Sequence, residues 1–409
     1  MSSFSIALSG LTGANSALDI TSNNIANADT TGFKNSQAQF GTVFSSGAVN
    51  LNTSTAGEGV QLVASPQQFT QGDITTTSSP LDMAISGNGF FTVASPNGNV
   101  YTRNGEFQED QNGNVVTSNG QFLQVYPPLA NGSFNTGALQ NLNLNTAQSA
   151  PVATSTGTVN VNLPSDETAP TQAPFNPTNP ATYNQSTSTT VYDSLGNSYP
   201  ATFYYTQTAT PGLWDVNMTV NGTQVGGTQT LQFSGTGTVT APANGQLTFA
   251  GFTPTDGAPA MSMTFNYSDT TQYGTQFGVN SITQNGYTTG QLNTVSVSST
   301  GVVSAVYTNG RSTDLGQLAI ANFPNPQGLQ QLSDTEWAQT FSSGTVVQGT
   351  AGSAGFGTVQ SSALESSNVD LTTELVNMIT EQRAFQANAQ VITTADQMSQ
   401  TVIGIATNG

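Results

Sequence analysis

Large apolar residues recur at a fixed interval of seven near the start of the chain, at Phe4, Leu11, Leu18 and Ile25. The positions three residues after each of them hold small or polar side chains, namely Ala7, Ala14, Thr21 and Ala28. Such heptads are typical of a helix that packs along one seam, as in a coiled coil. The pattern predicts a helix from about Ser3 to between Asn27 and Thr31, where Asn, Asp and Gly residues end it.

A second apolar stripe lies near the end of the chain, where the positions step by four and three. Seven of its ten positions are apolar, and the ten are Leu371, Leu375, Met378, Gln382, Phe385, Ala389, Ile392, Asp396, Ser399 and Ile403. Before it, Ser367 and Asp370 are spaced as a capping box, and Glu374 lies in the first turn, where the helix dipole favours an acid. The stripe predicts a helix that runs to about Ile405, roughly 36 residues or ~54 Å long.

The two predicted helices either pair and close one molecule or present their stripes to other copies. Gly10 and Gly13 each cost about 1 kcal/mol relative to Ala, so the first helix is weak by itself. Burying a Leu or Ile side chain contributes about 1.5 to 3 kcal/mol, but only when a partner covers it. The pattern therefore favours contact with other copies, with ends that are loose in the monomer and become ordered on assembly.

The long middle part of the chain has the pattern of β-structure. From about Gln71 apolar and polar residues alternate, and turns such as Asn97-Gly98 and Asn119-Gly120 indicate a meander over residues 84–126. A Pro-rich stretch from about 140 to 180 marks a boundary, beyond which a second series of strands begins.

The predicted fold class is α+β and multidomain. Long terminal α-helices form a coiled-coil-like core, and of two mainly β domains the second is inserted in the first. The predicted divisions are 1–28 with 364–409 for the helical core, 29–70 for an extended or hairpin-like connector, 71–144 with 285–363 for the inner β domain, and 145–284 for the inserted outer β domain.

Composition narrows the possible partners. The 409 residues include no Cys, no His, 22 acidic residues and only four basic ones, for a net charge of -18. Charged residues make up 6% of the chain, against roughly 25% in ordinary soluble domains. So negative a chain is not expected to bind nucleic acid or an anionic membrane, and without Cys its fold does not depend on the redox compartment.

The same composition excludes most catalytic chemistry. Nucleophilic triads and the usual metal clusters depend on His or Cys, and a phosphate-binding loop needs Gly-Lys-Ser/Thr, whereas Lys34 is followed by Asn35. Carboxylates such as Asp166, Glu167 and Asp215 are the remaining candidates, for glycoside hydrolysis. The neighbouring Trp214 is better explained by packing. We therefore predict no enzyme, no catalytic residue and no cofactor.

Two smaller features have structural interpretations. Asp110, Asn112 and Asn114 imitate the start of a calcium loop, but Val115 stands where Gly is required and Gln121 where Glu is required, so the segment is predicted to be a plain turn and not a metal site. Among the basic residues, Arg103 is expected to pair with an acid inside the β domain. Lys34 and Arg383 are candidates for pairs between subunits, on which the sequence is silent.

Three blocks of sequence resemble the signatures of the bacterial flagellar axial proteins, which build rod and hook. The blocks are Asn23-Asn24-Ile25-Ala26-Asn27 with Thr31-Gly32-Phe33-Lys34, then Ile85-x-Gly87-x-Gly89-Phe90-Phe91 with Tyr101-Thr102-Arg103-x-Gly105-x-Phe107, and finally Ala363-Leu364-Glu365 to Asp370 with Gln382-Arg383-Ala384-Phe385 to Ile392. They stand in the family's order. The chain's length and its large central insertion are similar to the hook members rather than to the shorter rod members.

The resemblance implies a structural subunit that self-assembles into a curved tube, the flexible joint that passes torque from rod to filament. The helix stripes would then be assembly sites, with Phe4, Leu11, Leu18, Ile25, Asn23, Asn24 and Asn27 in the first helix and Leu371, Leu375, Met378, Phe385, Ile392 and Ile403 in the second. The implied partners are many copies of the same chain, rod proteins, and the hook cap and hook–filament junction proteins. No nucleic acid, membrane insertion or cofactor is expected.

The start of the chain, MSSFSIALSG, lacks the basic region and the sustained apolar core of a signal peptide, and no apolar run has the length of a membrane span. These features alone indicate a cytoplasmic protein. The resemblance instead implies export without cleavage through the flagellar type III channel. Two alternatives remain open on the sequence, a distal rod component and a secreted, β-rich, adhesin-like binding module.

Overall fold

The computed structural model describes residues 2–43, 57–145 and 148–408. The part of the predicted connector at 44–56 lies outside the described residues. The chain forms two compact units, the first from Met1–Asn145, Thr294–Ala305 and Thr313–Gly409, and the second from Thr146–Asn293 and Val306–Ser312. The first unit contains most of the residues predicted as helical core, connector and inner β domain, whereas residues 285–293 and 306–312 of the predicted inner domain belong to the second unit. That finer division stays a prediction.

The two helices are α1 (Ser2–Ala26) and α2 (Leu371–Asn408), both close to their predicted positions. Asp370 caps α2, because its Oδ1 accepts hydrogen bonds from the backbone N–H groups of Thr372 (2.8 Å) and Thr373 (3.2 Å). The predicted capping box is wrong, since the Ser367 hydroxyl accepts from the N–H of Val369, before the helix begins.

The strands fall into three groups along the chain. Those before the insertion are β1 (Gln39–Thr42), β2 (Val60–Ala64), β3 (Ile74–Thr76), β4 (Met83–Ser86), β5 (Phe90–Ser95), β6 (Gly98–Thr102), β7 (Gln108–Glu109), β8 (Val115–Val116), β9 (Phe122–Tyr126) and β10 (Gln140–Asn141). The next ten are β11 (Thr156–Pro164), β12 (Gln185–Tyr192), β13 (Ser198–Gln207), β14 (Leu213–Val220), β15 (Thr223–Phe233), β16 (Val239–Ala241), β17 (Gln246–Phe252), β18 (Met261–Asn266), β19 (Thr271–Tyr273) and β20 (Gly278–Gln284). The last eight are β21 (Leu292–Val297), β22 (Val302–Tyr307), β23 (Ser312–Asn322), β24 (Gln330–Gln331), β25 (Glu336–Ala338), β26 (Val347–Thr350), β27 (Thr358–Ser361) and β28 (Ala363–Glu365).

The first unit joins strands from both ends of the chain. Its main sheet includes the order β23-β9-β5-β6-β25-β24, and the predicted hairpin at Asn97-Gly98 forms between β5 and β6. Strands β27 and β28, just before α2, pair antiparallel with β4 and β3. Alternate side chains of these strands bury an apolar core around Phe91, Val125 and Ile320. The return of the late strands brings the start of α2 back beside the end of α1.

The described part of the connector, which is predicted to be extended or hairpin-like, contains a hairpin of two strands. Strand β1 pairs antiparallel with β2, and the backbone N–H of Val60 donates to the hydroxyl of Ser9 on α1 at 3.2 Å. A Cβ added to Gly13 of α1 would lie 3.3 Å from Val60 Cγ1. The hairpin therefore lies directly against the helix.

The second unit is a β-sandwich of two five-stranded sheets. One sheet has the meander order β12-β13-β14-β15-β16, and in the other β11 pairs parallel with β18 and β19 and antiparallel with β20, while β17 lies beside β18. Both sheets contribute to a core that includes the fully buried Phe203, Trp214, Phe249 and Phe265. This core shares no residue with the core of the first unit.

Candidate assembly site

Helix α1 packs against α2 through its small residues. Ala7, Ala14 and Ala17 are buried, and a Cβ added to Gly10 would lie 2.8 Å from Oδ1 of Asn388 on α2. Small side chains allow two helix backbones to approach closely. The pairing of the terminal helices within one molecule therefore occurs, on the Ala and Thr positions of the heptads rather than on the Leu positions.

Polar bonds between the helices fix the face of α2 that meets α1. The Thr21 hydroxyl donates to Glu381 Oε1 at 3.2 Å, and Asn24 Nδ2 donates to Glu374 Oε1 at 3.4 Å. Asn24 also exchanges two bonds with the backbone of Ser36, at 2.8 and 2.9 Å. Burial raises the pKa of the Glu381 carboxyl; the bond from Thr21 opposes this shift, and the charge of Glu374 adds to it.

The large apolar residues lie mostly outside this contact. Phe4 is 47% exposed, and Leu375, Val376 and Ile379 of α2 are each at least half exposed. The other predicted residues of α1 differ in exposure, with Asn23 exposed, Leu11, Leu18, Ile25 and Asn27 partly exposed, and Asn24 buried.

The single stripe predicted on α2 is divided between two faces. Leu371, Leu375 and Ile403 are exposed, whereas Met378, Phe385 and Ile392 are partly buried. The partly buried three share the face of Glu374 and Glu381, because steps of four and three keep residues on one side of a helix. The small side chains of α1 cover only this narrow strip, and Leu371 and Leu375 lie outside it.

A buried charge group connects the end of α1 to the β-structure. Lys34 Nζ lies 2.6 Å from Glu365 Oε1, and Arg103 Nη1 lies 3.1 Å from Glu365 Oε2. Lys34 and Glu365 are fully buried, and Arg103 is 5% exposed. Each of the three residues comes from a different signature block. We call this group the signature junction.

Backbone groups bind further polar atoms of the signature junction, although Arg103 Nε is buried without a hydrogen-bond partner among the described residues. Lys34 Nζ donates to the carbonyl of Thr70 at 2.7 Å, Arg103 Nη2 donates to that of Gly87 at 2.8 Å, and Glu365 Oε1 accepts from the N–H of Gly72 at 2.9 Å. Burial lowers the pKa of Lys34 and of Arg103, and the charge of Glu365 opposes both shifts.

Gly32 and Asn368 hold the same region in place. Gly32 has φ +70°, and a Cβ there would lie 2.6 Å from the backbone nitrogen of Asn104, so this position requires glycine. Asn368 Oδ1 accepts from the N–H of Asn35 at 2.8 Å, and its Nδ2 donates to the carbonyl of Gln68 at 2.7 Å. The residues before α2 are thereby bound to the residues after α1.

The charge predictions have mixed outcomes. Arg103 pairs with an acid, as expected, and this acid, Glu365, lies in strand β28, just outside the range predicted for the inner β domain. The hypothesis that Lys34 pairs with an acid of another subunit is wrong, because Lys34 is buried against Glu365 of its own chain. Sequence reasoning did not find the roles of Glu365, Glu374 and Glu381. A signal for the role of Glu365 was present in the sequence, because each of the three signature blocks contains one charged residue of the junction.

The other residues that the sequence singles out have structural surroundings. Asp110 forms the predicted plain turn, in which its carboxylate accepts from the N–H groups of Asn112 and Asn114 and from the Asn114 side chain, a bond that lowers its pKa. Trp214 is a core residue, as predicted. Among the described residues no three His, Cys, Asp or Glu side chains are grouped as metal ligands. None of the described helices is long and apolar enough to cross a membrane.

Four family models match successive parts of the chain. They are described as flagella basal body rod protein (residues 4–34), flagellar hook protein FlgE/F/G D1 domain (84–171), flagellar basal body protein FlaE D2 domain (162–287) and flagellar basal body rod FlgEFG protein C-terminal (360–405). The first and last of these cover α1 and most of α2.

Relatives match over nearly the whole chain. The flagellar hook protein FlgE of Escherichia coli K12 is 38% identical over 98% of this chain and 99% of its own, and that of Salmonella typhimurium LT2 is 37% identical over 98% and 100%. The FlgE of Borreliella burgdorferi is 32% identical over 98% and 99%.

A solved structure has a similar fold. The crystal structure of the Helicobacter pylori flagellar hook protein FlgE2 matches with a TM-score of 0.52 and 14% identity, over 71% of this chain and all of that one. The terminal helices, the β domains and these matches define the class of structural axial proteins of the bacterial flagellum. Within that class the chain belongs to the flagellar hook protein family, as a structural subunit of the hook.

Proposed function

We propose that the exposed apolar residues of α1 and α2 pack against other copies of the chain, so that the paired helices form the coiled-coil-like core of a tube. The observation that supports this proposal most directly is that Leu375, Val376 and Ile379 are exposed on adjacent turns of α2. Contiguous exposed apolar surface in a soluble chain marks an interaction site. Covering a half-exposed Leu or Ile contributes about 1 kcal/mol, and many copies repeat the contact.

The β-structure of the first unit and the second unit would have different roles in this tube. The β-structure of the first unit, bound to the helices through the signature junction, would form a middle shell, and the second unit an outer surface. Only 6% of the residues are charged, so contacts between outer surfaces would be made by polar, hydrated side chains. Such contacts can exchange partners while apolar helix contacts hold the lattice. This division supports the role of a curved, flexible joint that transmits torque from rod to filament.

Partners at the two ends of the tube follow from the same proposal. The models that match residues 4–34 and 360–405 are named for basal body rod proteins, which supports stacking of these helices on rod subunits. The hook cap and the hook–filament junction proteins would meet the opposite end. Export without a cleaved signal peptide, through the flagellar type III channel, would place the assembled protein outside the cell.

The test compares polymerisation of the parent chain with that of Leu375→Ser/Ile379→Ser. Both proteins are concentrated in a kosmotropic salt, which strengthens apolar burial, and the polymer is measured by sedimentation. We expect the parent to form polymer and the double variant to remain monomeric with unchanged monomer secondary structure. Thr380→Ser, at an exposed position of the same helix, is the matched control and should polymerise. Equal polymer yield from the double variant would contradict the proposal.

A further inference from the structure

A cleft with two carboxylates lies where α1, α2 and the residues after α1 meet. It has a volume of about 380 Å³, and its lining includes Glu374, Glu381, Thr21, Asn24 and Asn35. We call it the acidic cleft. It lies within the first unit and shares no residue with the signature junction.

The acidic cleft contains acceptors without donors. The atoms Glu381 Oε2 and Asn35 Oδ1 are buried and accept no hydrogen bond from any described residue, while the two residues as a whole are partly exposed. Glu374 is 8% exposed, and its one bond, from Asn24, is long at 3.4 Å. In the described part of the chain the only ion pairs are those of Glu365, so neither cleft carboxylate has a cation beside it. Buried carboxylates are normally paired, because desolvation of an unpaired charge is costly.

Three of the four basic residues already interact within the chain, so one basic side chain is left that could bind the cleft carboxylates. Lys34 and Arg103 are held by Glu365, and the Arg311 guanidinium lies 4.4 Å from the ring centroid of Tyr287. Arg383 is exposed, and its side chain makes no hydrogen bond or ion pair with the described residues. It follows Glu381 by two residues, which at 3.6 residues per turn places it on the opposite side of α2. Arg383 therefore cannot enter the cleft of its own chain.

We propose that Arg383 of one copy binds in the acidic cleft of a neighbouring copy. The inference rests on the proposed packing of terminal helices between copies. A guanidinium offers several N–H donors in a fixed plane, which suits two carboxylates and an amide oxygen. Because donor and cleft lie on opposite sides of α2, the contact is heterologous, and such contacts repeat into rings or open helices.

Two other observations support Arg383 as the residue that binds in the acidic cleft. Ile379, one turn before Arg383, is half exposed, so the arginine would enter beside an apolar contact. Burial raises the pKa of Glu381, and a guanidinium in the cleft would favour its charged form. The pair would thus specify the register in which the apolar contacts hold neighbouring copies.

The test uses charge reversal in cells whose own hook gene is replaced by each variant, with hooks counted by electron microscopy. Arg383→Glu and Glu381→Arg each place like charges together, and we expect at least about tenfold fewer hooks from either one, the change that 1.4 kcal/mol produces. The double variant Glu381→Arg/Arg383→Glu should regain hooks. Cells that produce the two single variants together should regain them also, because each chain then meets a complementary neighbour.

Controls separate this contact from folding and from the proposed function. Gln386→Glu adds a negative charge to an exposed position of the same helix and should leave hook number unchanged. If Glu381→Arg does not fold by circular dichroism, Arg383→Gln and Glu381→Gln decide the question, because a coupled pair makes the double variant no worse than either single one. Hooks in normal number from Arg383→Glu, or no recovery in the folded double variant, would overturn this inference alone. Absence of hooks from the parent chain would overturn the proposed function.

Discussion

At the scale of single residues, the signature junction connects distant parts of the chain. Glu365 pairs with Lys34 and Arg103, which are 331 and 262 residues away in sequence. These bonds join the segment after α1, the end of β6 and the strand before α2. A force applied to the helices would therefore reach the β-structure through this group. Buried ion pairs of this kind specify one arrangement, and removing one partner is strongly destabilising.

Replacing Glu365 by glutamine tests this role. Glu365→Gln leaves Lys34 and Arg103 buried without a counter-charge, and we expect a loss of about 3 to 5 kcal/mol in the free energy of unfolding. Urea unfolding of the monomer measures it. The exposed Glu109→Gln is the matched control and should change stability by less than about 0.5 kcal/mol. Equal stability of the two variants would show that the junction does not hold the unit together.

At the scale of elements, the beginning of α2 depends on one carboxylate. N–H groups of Thr373 and Thr372 lower the pKa of Asp370. A lowered folded pKa means that this stabilisation is present above the ordinary pKa of Asp and is lost as the pH falls through the lowered value. We expect the protection of the Thr372 and Thr373 amides, measured by NMR as their exchange rate relative to that of an unstructured amide at the same pH, to fall on acidification. Asp370→Asn keeps the acceptor oxygen without titrating, so the same pH dependence in that variant would refute the explanation.

The pairing of α1 with α2 depends on small side chains at their contact. Ala17 is buried, so Ala17→Leu should separate the helices at a cost of about 1 to 3 kcal/mol. The expected result is faster hydrogen exchange along α1 in the monomer. Ala26→Leu makes the same change at an exposed position of α1 and should leave exchange unchanged. Parent-like exchange in Ala17→Leu would mean that the pair does not persist in the monomer.

Local features of the elements were predictable, and distant pairings were not. Heptads and turn residues located both helices and the β5–β6 hairpin, because these signals lie within a few residues of one another. The capping box failed because Ser367 and Asp370 both suit a helix start, and only the backbone geometry distinguishes them. The division of the α2 stripe into two faces could not be predicted, because it depends on the alanine residues of α1 that pack against one side of α2. Likewise, nothing local to Glu365 reveals its partners.

At the scale of the whole molecule, two separate cores allow the insertion to be removed. Replacing about residues 145 to 284 by a short linker should leave the first unit folded, since its core uses none of these residues. We expect tubes that still form but are straight or differently curved in electron micrographs. Complete loss of assembly by a folded product would contradict the proposed division between helix contacts and outer contacts.

Thiol labelling measures whether the exposed apolar residues Leu375, Val376 and Ile379 of α2 become covered in the tube. The sequence has no Cys, so Ile379→Cys gives a unique thiol, and its reaction with a maleimide is compared in monomer and polymer. Thr255→Cys, an exposed position of the second unit, is the control and should react in both states. We expect the thiol at position 379 to react in the monomer and to be protected in the tube. Equal reaction in both states would contradict it.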